Sequence, residues 1–264
     1  MIALAQPDAE PGRRRWVRVL LWSVGVLAVV VAGTVAWWVL SFPDADAAAL
    51  AEVGDRQDLE VVALDGVGGV ALHPADGRSD EAVIFYPGAA VPPEAYLPVW
   101  APVVADTGVS VFVPEMPLRL AVLGRSRADA VIEANPEVAT WWLGGHSLGG
   151  AMAGSYAGAQ PPDELRGLIL WGAYVTEGAD LRARDDLTVL SVSGSRDGLS
   201  TPQDIAERRE LLPADARMEE LAGVNHAQFG RYGPQSGDGT PTVTDDRATR
   251  LIADAVSALL VGED

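Results

Sequence analysis

The sequence predicts an α/β fold with a doubly wound, mainly parallel sheet, preceded by one transmembrane helix. Along residues 58–264, short runs of β-branched and apolar residues alternate with longer Ala-rich segments. Such alternation is typical of parallel strands joined by helices. Apolar residues make up 48% of the chain and charged residues 21%, as in ordinary globular proteins. A separate apolar stretch, Val19–Leu40, lies near the N-terminus.

That stretch contains no charged residue and, at about 1.5 Å per residue, would span roughly 33 Å, enough for a hydrocarbon core. Four arginines precede it and acidic residues follow it, so the positive-inside rule places the N-terminus in the cytoplasm. A cleaved signal peptide, with its shorter apolar region, and a buried soluble helix are the alternatives. We expect a cytoplasmic tail (1–18), a transmembrane helix (19–42), a linker or first amphipathic turn (43–57), and an extracytoplasmic domain (58–264) on the cell membrane.

The elements of the domain follow one another in regular order. Asp65-Gly66 between the first two strands indicates a hairpin, and the continuous apolar run Ala82–Tyr86 is typical of a strand buried on both faces. The predicted strands are Leu59–Leu64, Val67–His73, Ala82–Tyr86, Val109–Val113, Val138–Leu143, Leu168–Trp171, Thr188–Val192 and Arg217–Leu221. The predicted helices are Glu94–Asp106, Leu118–Asn135, Gly149–Ala159, Pro202–Leu212 and the amphipathic Asp245–Leu260.

Composition and motifs exclude several classes of function. The chain has no cysteine, so a disulfide scaffold, a thiolate metal site and a cysteine nucleophile are excluded. Its net charge of −18 argues against nucleic-acid binding, which needs a basic footprint. Three scattered histidines provide no metal-ligand set, and no glycine-rich nucleotide motif occurs. We therefore expect neither a metal nor a cofactor.

One motif follows the strand Val138–Leu143 directly. Gly145-x-Ser147-x-Gly149 has the spacing of a nucleophile elbow, in which a serine lies on a sharp turn between a strand and a helix. The glycines leave room for that turn, and the helix N-terminus offers backbone N–H groups to an anion. The five-residue pattern alone is weak, but a strand directly before it and a helix directly after it favour the functional interpretation.

A serine nucleophile requires a base, and the base requires an orienting carboxylate. Of the three histidines, His73 follows an early strand and is interpreted as a surface residue, while His146 sits beside the serine and cannot turn to accept its proton. His226 follows a late strand and is the candidate base. Asp197 follows the strand Thr188–Val192 and is the candidate acid, in the chain order Ser, Asp, His.

The oxyanion hole needs backbone N–H donors near the serine. Leu148, directly after the nucleophile, is one expected donor. Pro87 lacks an N–H, so the other is expected among the three residues after it, with Ala89 preferred. We expect substrate contacts from residues of these loops and of the long loop after the base: Ala90, His146, Phe229, Arg231 and Tyr232. The alternative for Phe229, Arg231 and Tyr232 is that they only hold a surface loop in place.

Taken in order, Tyr86-Pro87-Gly88, Gly145–Gly150, Gly194–Gly198 and Asn225-His226 resemble the corresponding motifs of α/β-hydrolases. The resemblance covers about residues 58–261 and is greatest to small serine hydrolases of the dienelactone-hydrolase and carboxylesterase type. Many esterases carry His-Gly where this chain has Pro87-Gly88, and dienelactone hydrolases use a cysteine where it has Ser147.

The resemblance implies a carboxylesterase acting on a small-molecule or lipid ester through Ser147, His226 and Asp197. The apolar stretch predicts a membrane anchor for it, and the roughly 16 residues between the strands Leu168–Trp171 and Thr188–Val192 leave no room for a large cap domain. Acyl transfer to envelope lipids or glycans is one alternative, because an alcohol can replace water in the second step. A catalytically silent binding protein of the same fold is the other, although an intact triad argues against it.

Overall fold

The computed structural model describes residues 16, 19–27, 29–30, 33 and 42–262. The chain divides into two compact units, Met1–Phe42 and Pro43–Asp264. In the first unit the described residues up to position 33 are helical. Much of the predicted transmembrane span, including 34–41, falls outside the described residues. Among those that are described, no helix is both long and apolar enough to cross a membrane.

The second unit is built on one twisted sheet. The strands are β1 (Leu59–Ala63), β2 (Gly69–Pro74), β3 (Glu81–Tyr86), β4 (Ser110–Pro114), β5 (Thr140–His146), β6 (Gly167–Trp171), β7 (Thr188–Gly194) and β8 (Arg217–Leu221). Their order in the sheet is β1-β2-β4-β3-β5-β6-β7-β8. The pairs β1–β2 and β2–β4 are antiparallel, and every other pair is parallel. The loops that follow β3 to β8 therefore meet along one carboxyl edge.

Helices cover both faces of this sheet. They are α1 (Ala47–Gly54), α2 (Leu97–Thr107), α3 (Arg127–Ala134), α4 (Leu148–Ala157), α5 (Pro202–Glu207) and α6 (Asp245–Leu260). One hydrophobic cluster joins α1, α2 and α6 to one face, and a second joins α3 and α4 to the other. Because both faces are covered, the side chains of β3 and β6 are almost entirely buried, as their continuous apolar sequences indicate.

Two sequence predictions need correction, and for a third segment the structure favours one of two alternatives. Residues 118–135 do not form one helix: 3₁₀ turns at Pro117–Arg119 and Ala121–Leu123 precede the short α3. For 43–57, predicted as a linker or a first amphipathic turn, the helical alternative agrees with the structure, because α1 buries Ala49 and Val53 against the domain. His73 is buried rather than exposed, and its Nδ1 lies 2.9 Å from the Ser110 hydroxyl.

Between β6 and β7 the chain is short. Residues 172–187 contain one 3₁₀ turn, Glu177–Ala179, so this connection carries no cap domain. The carboxyl edge is bordered instead by loops that are fixed to the sheet by hydrogen bonds.

Candidate active site

Ser147 lies on the sharp turn between β5 and α4. Its φ of 53° and ψ of −124° fall where non-glycine residues are rarely found, at a cost on the order of 1–3 kcal/mol. Its N–H donates to the Trp171 carbonyl at 3.0 Å, and its carbonyl accepts from the Ala151 N–H at 3.1 Å. These two bonds hold the strained backbone and leave the serine side chain partly exposed at the carboxyl edge.

Two glycines make the turn sterically possible. A Cβ on Gly145 would lie 2.5 Å from the carbonyl carbon of Gly149. A Cβ on Gly149 would lie 2.1 Å from the carbonyl oxygen of Tyr86. Both distances are far below van der Waals contact distance. Gly145 thus lets α4 approach β5, and Gly149 lets the turn approach the loop after β3.

Asp197 and His226 meet where β7 and β8 end. Nδ1 of His226 lies 2.7 Å from Oδ2 of Asp197, and both side chains are buried. The second oxygen, Oδ1, accepts the N–H groups of Leu199 at 2.8 Å and Ser200 at 2.7 Å. Since both carboxylate oxygens are engaged, the acid cannot rotate, and it directs Nδ1 of the imidazole towards itself. Nε2 is then the nitrogen available to accept a proton.

The His226 ring lies beside the elbow. Its centroid is 4.4 Å from that of His146, the residue directly before Ser147. The three residues predicted as nucleophile, acid and base are thus brought to one edge of the sheet by three separate strands. The arrangement is suited to nucleophilic attack by a serine hydroxyl.

Asp238 is a site residue that the sequence analysis missed. Its Oδ1 accepts the N–H of Gly198 at 3.1 Å and of His226 at 3.1 Å, and its Oδ2 accepts that of Ala227 at 2.9 Å. One carboxylate therefore ties the turn after the acid to the turn that carries the base. The sequence signal was only Gly237-Asp238-Gly239, which indicates a turn.

The loop after β3 offers one uncommitted backbone donor. The N–H of Gly88 donates to the Tyr96 hydroxyl at 2.8 Å, and that of Ala90 to the Arg119 carbonyl at 2.9 Å. Among the described residues no hydrogen-bond acceptor faces the N–H of Ala89. Leu148 is the first residue of α4, where helical N–H groups lack an intrahelical partner. The two donors predicted for an oxyanion hole are thus suited to bind an anion.

A buried hydrogen-bond chain links this loop to the elbow. The Tyr96 hydroxyl accepts from Gly88 and lies 3.0 Å from Nδ1 of His146. Burial raises the pKa of Tyr96, and burial, with the neighbouring charge of His226, lowers the pKa of His146. A neutral His146 can accept at Nδ1, so the tyrosine hydroxyl donates to it. The oxyanion loop is thereby connected to the residue preceding the nucleophile.

The predicted substrate contacts differ in their exposure. His146 and Phe229 are almost completely buried, as is the candidate base His226, so their role as substrate contacts stays a prediction. Tyr232 and Arg231 line a cleft of about 390 Å³, but its walls contain none of the nucleophile, acid and base. Ala90 lies at the rim of the site with a positive φ of 66°.

Comparison with known proteins identifies the family. Residues 82–250 match the model of an α/β-hydrolase family, and the chain therefore belongs to the α/β-hydrolases. A search of curated protein sequences found no match.

Solved structures with the same fold include three esterases. The esterase domain of a Rhodothermus marinus protein is 14% identical, with a TM-score of 0.54, over 76% of this chain and 97% of the other. A hyperthermophilic esterase from Pyrobaculum calidifontis is 16% identical, with a TM-score of 0.56, over 80% of this chain and 87% of the esterase. Carboxyl esterase 2 from Tuber melanosporum is 13% identical, with a TM-score of 0.54, over 78% and 89%.

Proposed function

We propose that this α/β-hydrolase is a serine carboxylesterase. The observation that supports this most directly is the buried pair of Asp197 and His226, 2.7 Å apart, beside a strained turn that exposes Ser147. The esterases named above support the reaction class, because they share the fold.

In this mechanism the Ser147 hydroxyl attacks the ester carbonyl while Nε2 of His226 takes its proton. The N–H groups of Ala89 and Leu148 stabilise the negative charge on the carbonyl oxygen. His226 then returns the proton to the departing alcohol, which leaves an acyl group on Ser147. Water, activated by the same imidazole, releases the acid and restores the serine. Asp197 keeps the imidazole oriented and stabilises its charged form.

We also propose that the domain acts outside the cytoplasmic membrane, tethered by residues 19–42. The support is the sequence: an uncharged stretch with arginines before it and acidic residues after it. Protease added to cells without their wall should remove the domain, whereas protection until lysis would contradict this topology. Release of the domain into the medium would indicate a cleaved signal instead.

Substitution of the nucleophile tests the proposed chemistry. Ser147→Ala should lower the hydrolysis of p-nitrophenyl esters by about 10⁴- to 10⁶-fold, because the covalent route is lost. Ser155→Ala, on the same helix, is the control and should retain activity. A fluorophosphonate should label Ser147 in the unmodified chain. Hydrolysis that persists in purified Ser147→Ala would exclude the mechanism.

A further inference from the structure

The chain enters the domain on the catalytic edge. The Pro43 carbonyl accepts from Nη1 of Arg119 at 3.2 Å, and the carbonyl of Arg119 accepts from Ala90 in the oxyanion loop. The Asp46 carboxylate pairs with Arg231, 3.2 Å away, in the loop that follows the base. Residues 43–46 thus lie between the two loops that border the site. Any segment that precedes Pro43 is attached at this edge.

A second feature of this edge is the rim segment, which we define as residues 116–128. Leu118, Val122 and Leu123 are 55–56% exposed, although they follow a buried strand. The segment also carries three arginines (119, 125 and 127) and no acidic residue, in a chain with 19 basic and 37 acidic residues. Apolar side chains next to cationic ones are typical of surfaces that lie in a membrane interface.

The exposure of Leu118 coincides with an unusual backbone conformation. Leu118 and Arg119 have φ values of 52° and 53°, which L-residues rarely adopt. Hydrogen bonds such as those from Leu120 to Pro117 and from Leu123 to Leu120, each 3.0 Å long, fix the shape of the segment. A strained yet ordered backbone that directs leucine into solvent indicates a function for the exposed side chain.

The distribution of exposed apolar side chains over the domain points to the same edge. In residues 43–262, the described part of the domain, seven large apolar side chains are exposed. Three of them belong to the rim segment, and a fourth, Leu199, follows the acid. Scattered single residues of this kind are normal, but a cluster beside a site marks an interaction surface.

We propose that the rim segment contacts a lipid bilayer and lays the catalytic edge against it, so that the substrate is an acyl ester of a membrane lipid. This proposal rests on the proposed esterase function: water adds across the acyl C–O bond and yields a fatty acid and the lipid alcohol. The membrane span predicted before Pro43 indicates that the partner of the rim segment is a lipid bilayer. The uncharged stretch Val19–Leu40 ends three residues before Pro43, and three residues reach at most about 10 Å. Insertion of that span would hold Pro43, and the edge it contacts, at the bilayer surface.

Depth-dependent quenching tests the surface without using activity. Because the chain lacks cysteine, Val122→Cys in the full-length protein can be labelled with an environment-sensitive fluorophore and reconstituted in vesicles of phosphatidylcholine and phosphatidylglycerol. Nitroxide-labelled phosphatidylcholine should quench this label. A label at Asp215→Cys, at the amino edge of the sheet before β8, should not be quenched. Equal quenching at both positions, or none at position 122, would overturn the proposal, whether or not the protein hydrolyses esters.

An activity comparison tests the substrate class. The double variant Val122→Asp with Leu123→Asp should retain hydrolysis of a short, water-soluble ester. On a diacylglycerol ester embedded in the same vesicles its rate should fall by about tenfold or more, because two apolar side chains no longer enter the interface. Val61→Asp, an exposed valine on the edge strand β1, is the matched control and should leave both rates unchanged. Equal rates of the double variant and the unmodified protein on the vesicles would overturn the proposal.

Discussion

The two sides of the candidate site are held together by different means. On the acid and base side, Asp197 and Asp238 accept backbone N–H groups from the turns that they organise. On the oxyanion side, the connection is a chain of neutral groups, from Gly88 through Tyr96 to His146, together with strained backbone at Ala90 and Ser147.

This difference follows from the hydrogen-bond partners on each side, since Asp197 and His226 are buried as well as Tyr96 and His146. Ionised acceptors make the stronger hydrogen bonds, and a carboxylate is tolerated where several N–H groups surround it. Tyr96 and His146 are enclosed by hydrophobic core, where an unpaired charge would be costly. Disruption of the carboxylate side should therefore lower the rate of ester hydrolysis more than disruption of the neutral side. The following substitutions test that ranking.

The largest effect is expected from Asp197→Asn. The amide can donate to Nδ1 of His226, which stabilises the tautomer with a proton on Nε2, so the base can no longer accept one. The rate of ester hydrolysis should fall by about 10⁴-fold. Asp185→Asn, at an exposed aspartate, is the control. A decrease of less than tenfold would indicate that another group orients His226.

Asp238→Ala should have the next largest effect. Without this carboxylate the N–H groups of Gly198, His226 and Ala227 lose their acceptor, and the acid and base turns can shift relative to each other. Misplacement of this kind is expected to cost about 100-fold in kcat. Ser236→Ala, in the same loop, should have no effect. Full activity of Asp238→Ala would show that the remaining contacts suffice to align the pair.

Tyr96→Phe should be milder. It removes the hydroxyl that joins the oxyanion loop to His146, and kcat should fall about tenfold with little change in KM, because the transition state is affected more than the bound substrate. Tyr86→Phe is a matched control: its hydroxyl also makes two hydrogen bonds, to Arg125 and Ala128, but away from the elbow. If both variants lose kcat equally, the effect is one of general stability.

The smallest effect concerns the stability of the fold. Burial lowers the pKa of His146, so below the ordinary histidine pKa, about 6.5, the unfolded chain binds this proton more readily than the folded one. Stability is therefore complete above that pH and decreases in acid. This residue can contribute up to about 1.4 kcal/mol per pH unit.

His146→Asn tests this contribution, since its side-chain oxygen can still accept from Tyr96. Urea unfolding should be measured at pH 5 and pH 7.5. Between the two, the free energy of unfolding should decrease less in the variant than in the unmodified protein. His73, also buried with a lowered pKa, should account for part of the remaining slope, and His73→Asn can be measured alongside. If the free energy of unfolding of His146→Asn depends on pH as steeply as that of the unmodified protein, groups other than His146 cause the acid sensitivity.

Most of the fold was predictable because each buried strand is a continuous apolar run. All eight strands lie within a few residues of their predicted limits, and α6 begins and ends as predicted. The prediction of one helix over 118–135 was wrong, because a composition rich in helix formers does not reveal the left-handed backbone of Leu118 and Arg119. The burial of His73 depended on Ser110, which is distant in sequence and adjacent only in the sheet.

The candidate site was predictable to the extent that its chemistry follows strand ends in chain order. Ser147, Asp197 and His226 come together because three parallel strands end at one edge. The role of Asp238 could not be read, because it depends on how a long loop folds back on the acid turn. The burial of Phe229 could not be predicted for a similar reason: an aromatic residue near a base can face either the substrate or the core, and only packing decides.

The ion pairs of Arg231 with Asp46 and Asp246 have a consequence for the order of folding. Its guanidinium joins Asp46, a residue 185 positions earlier, to Asp246 at the start of α6. A contact between such distant residues closes a very long loop, and the entropy of that closure is lost before the contact contributes any stability. The helix α1 leaves the ribosome early, yet its N-terminal contact with Arg231 cannot form until almost the entire domain has been synthesised. We therefore expect the first segment of this domain to be among the last to become protected from hydrogen exchange.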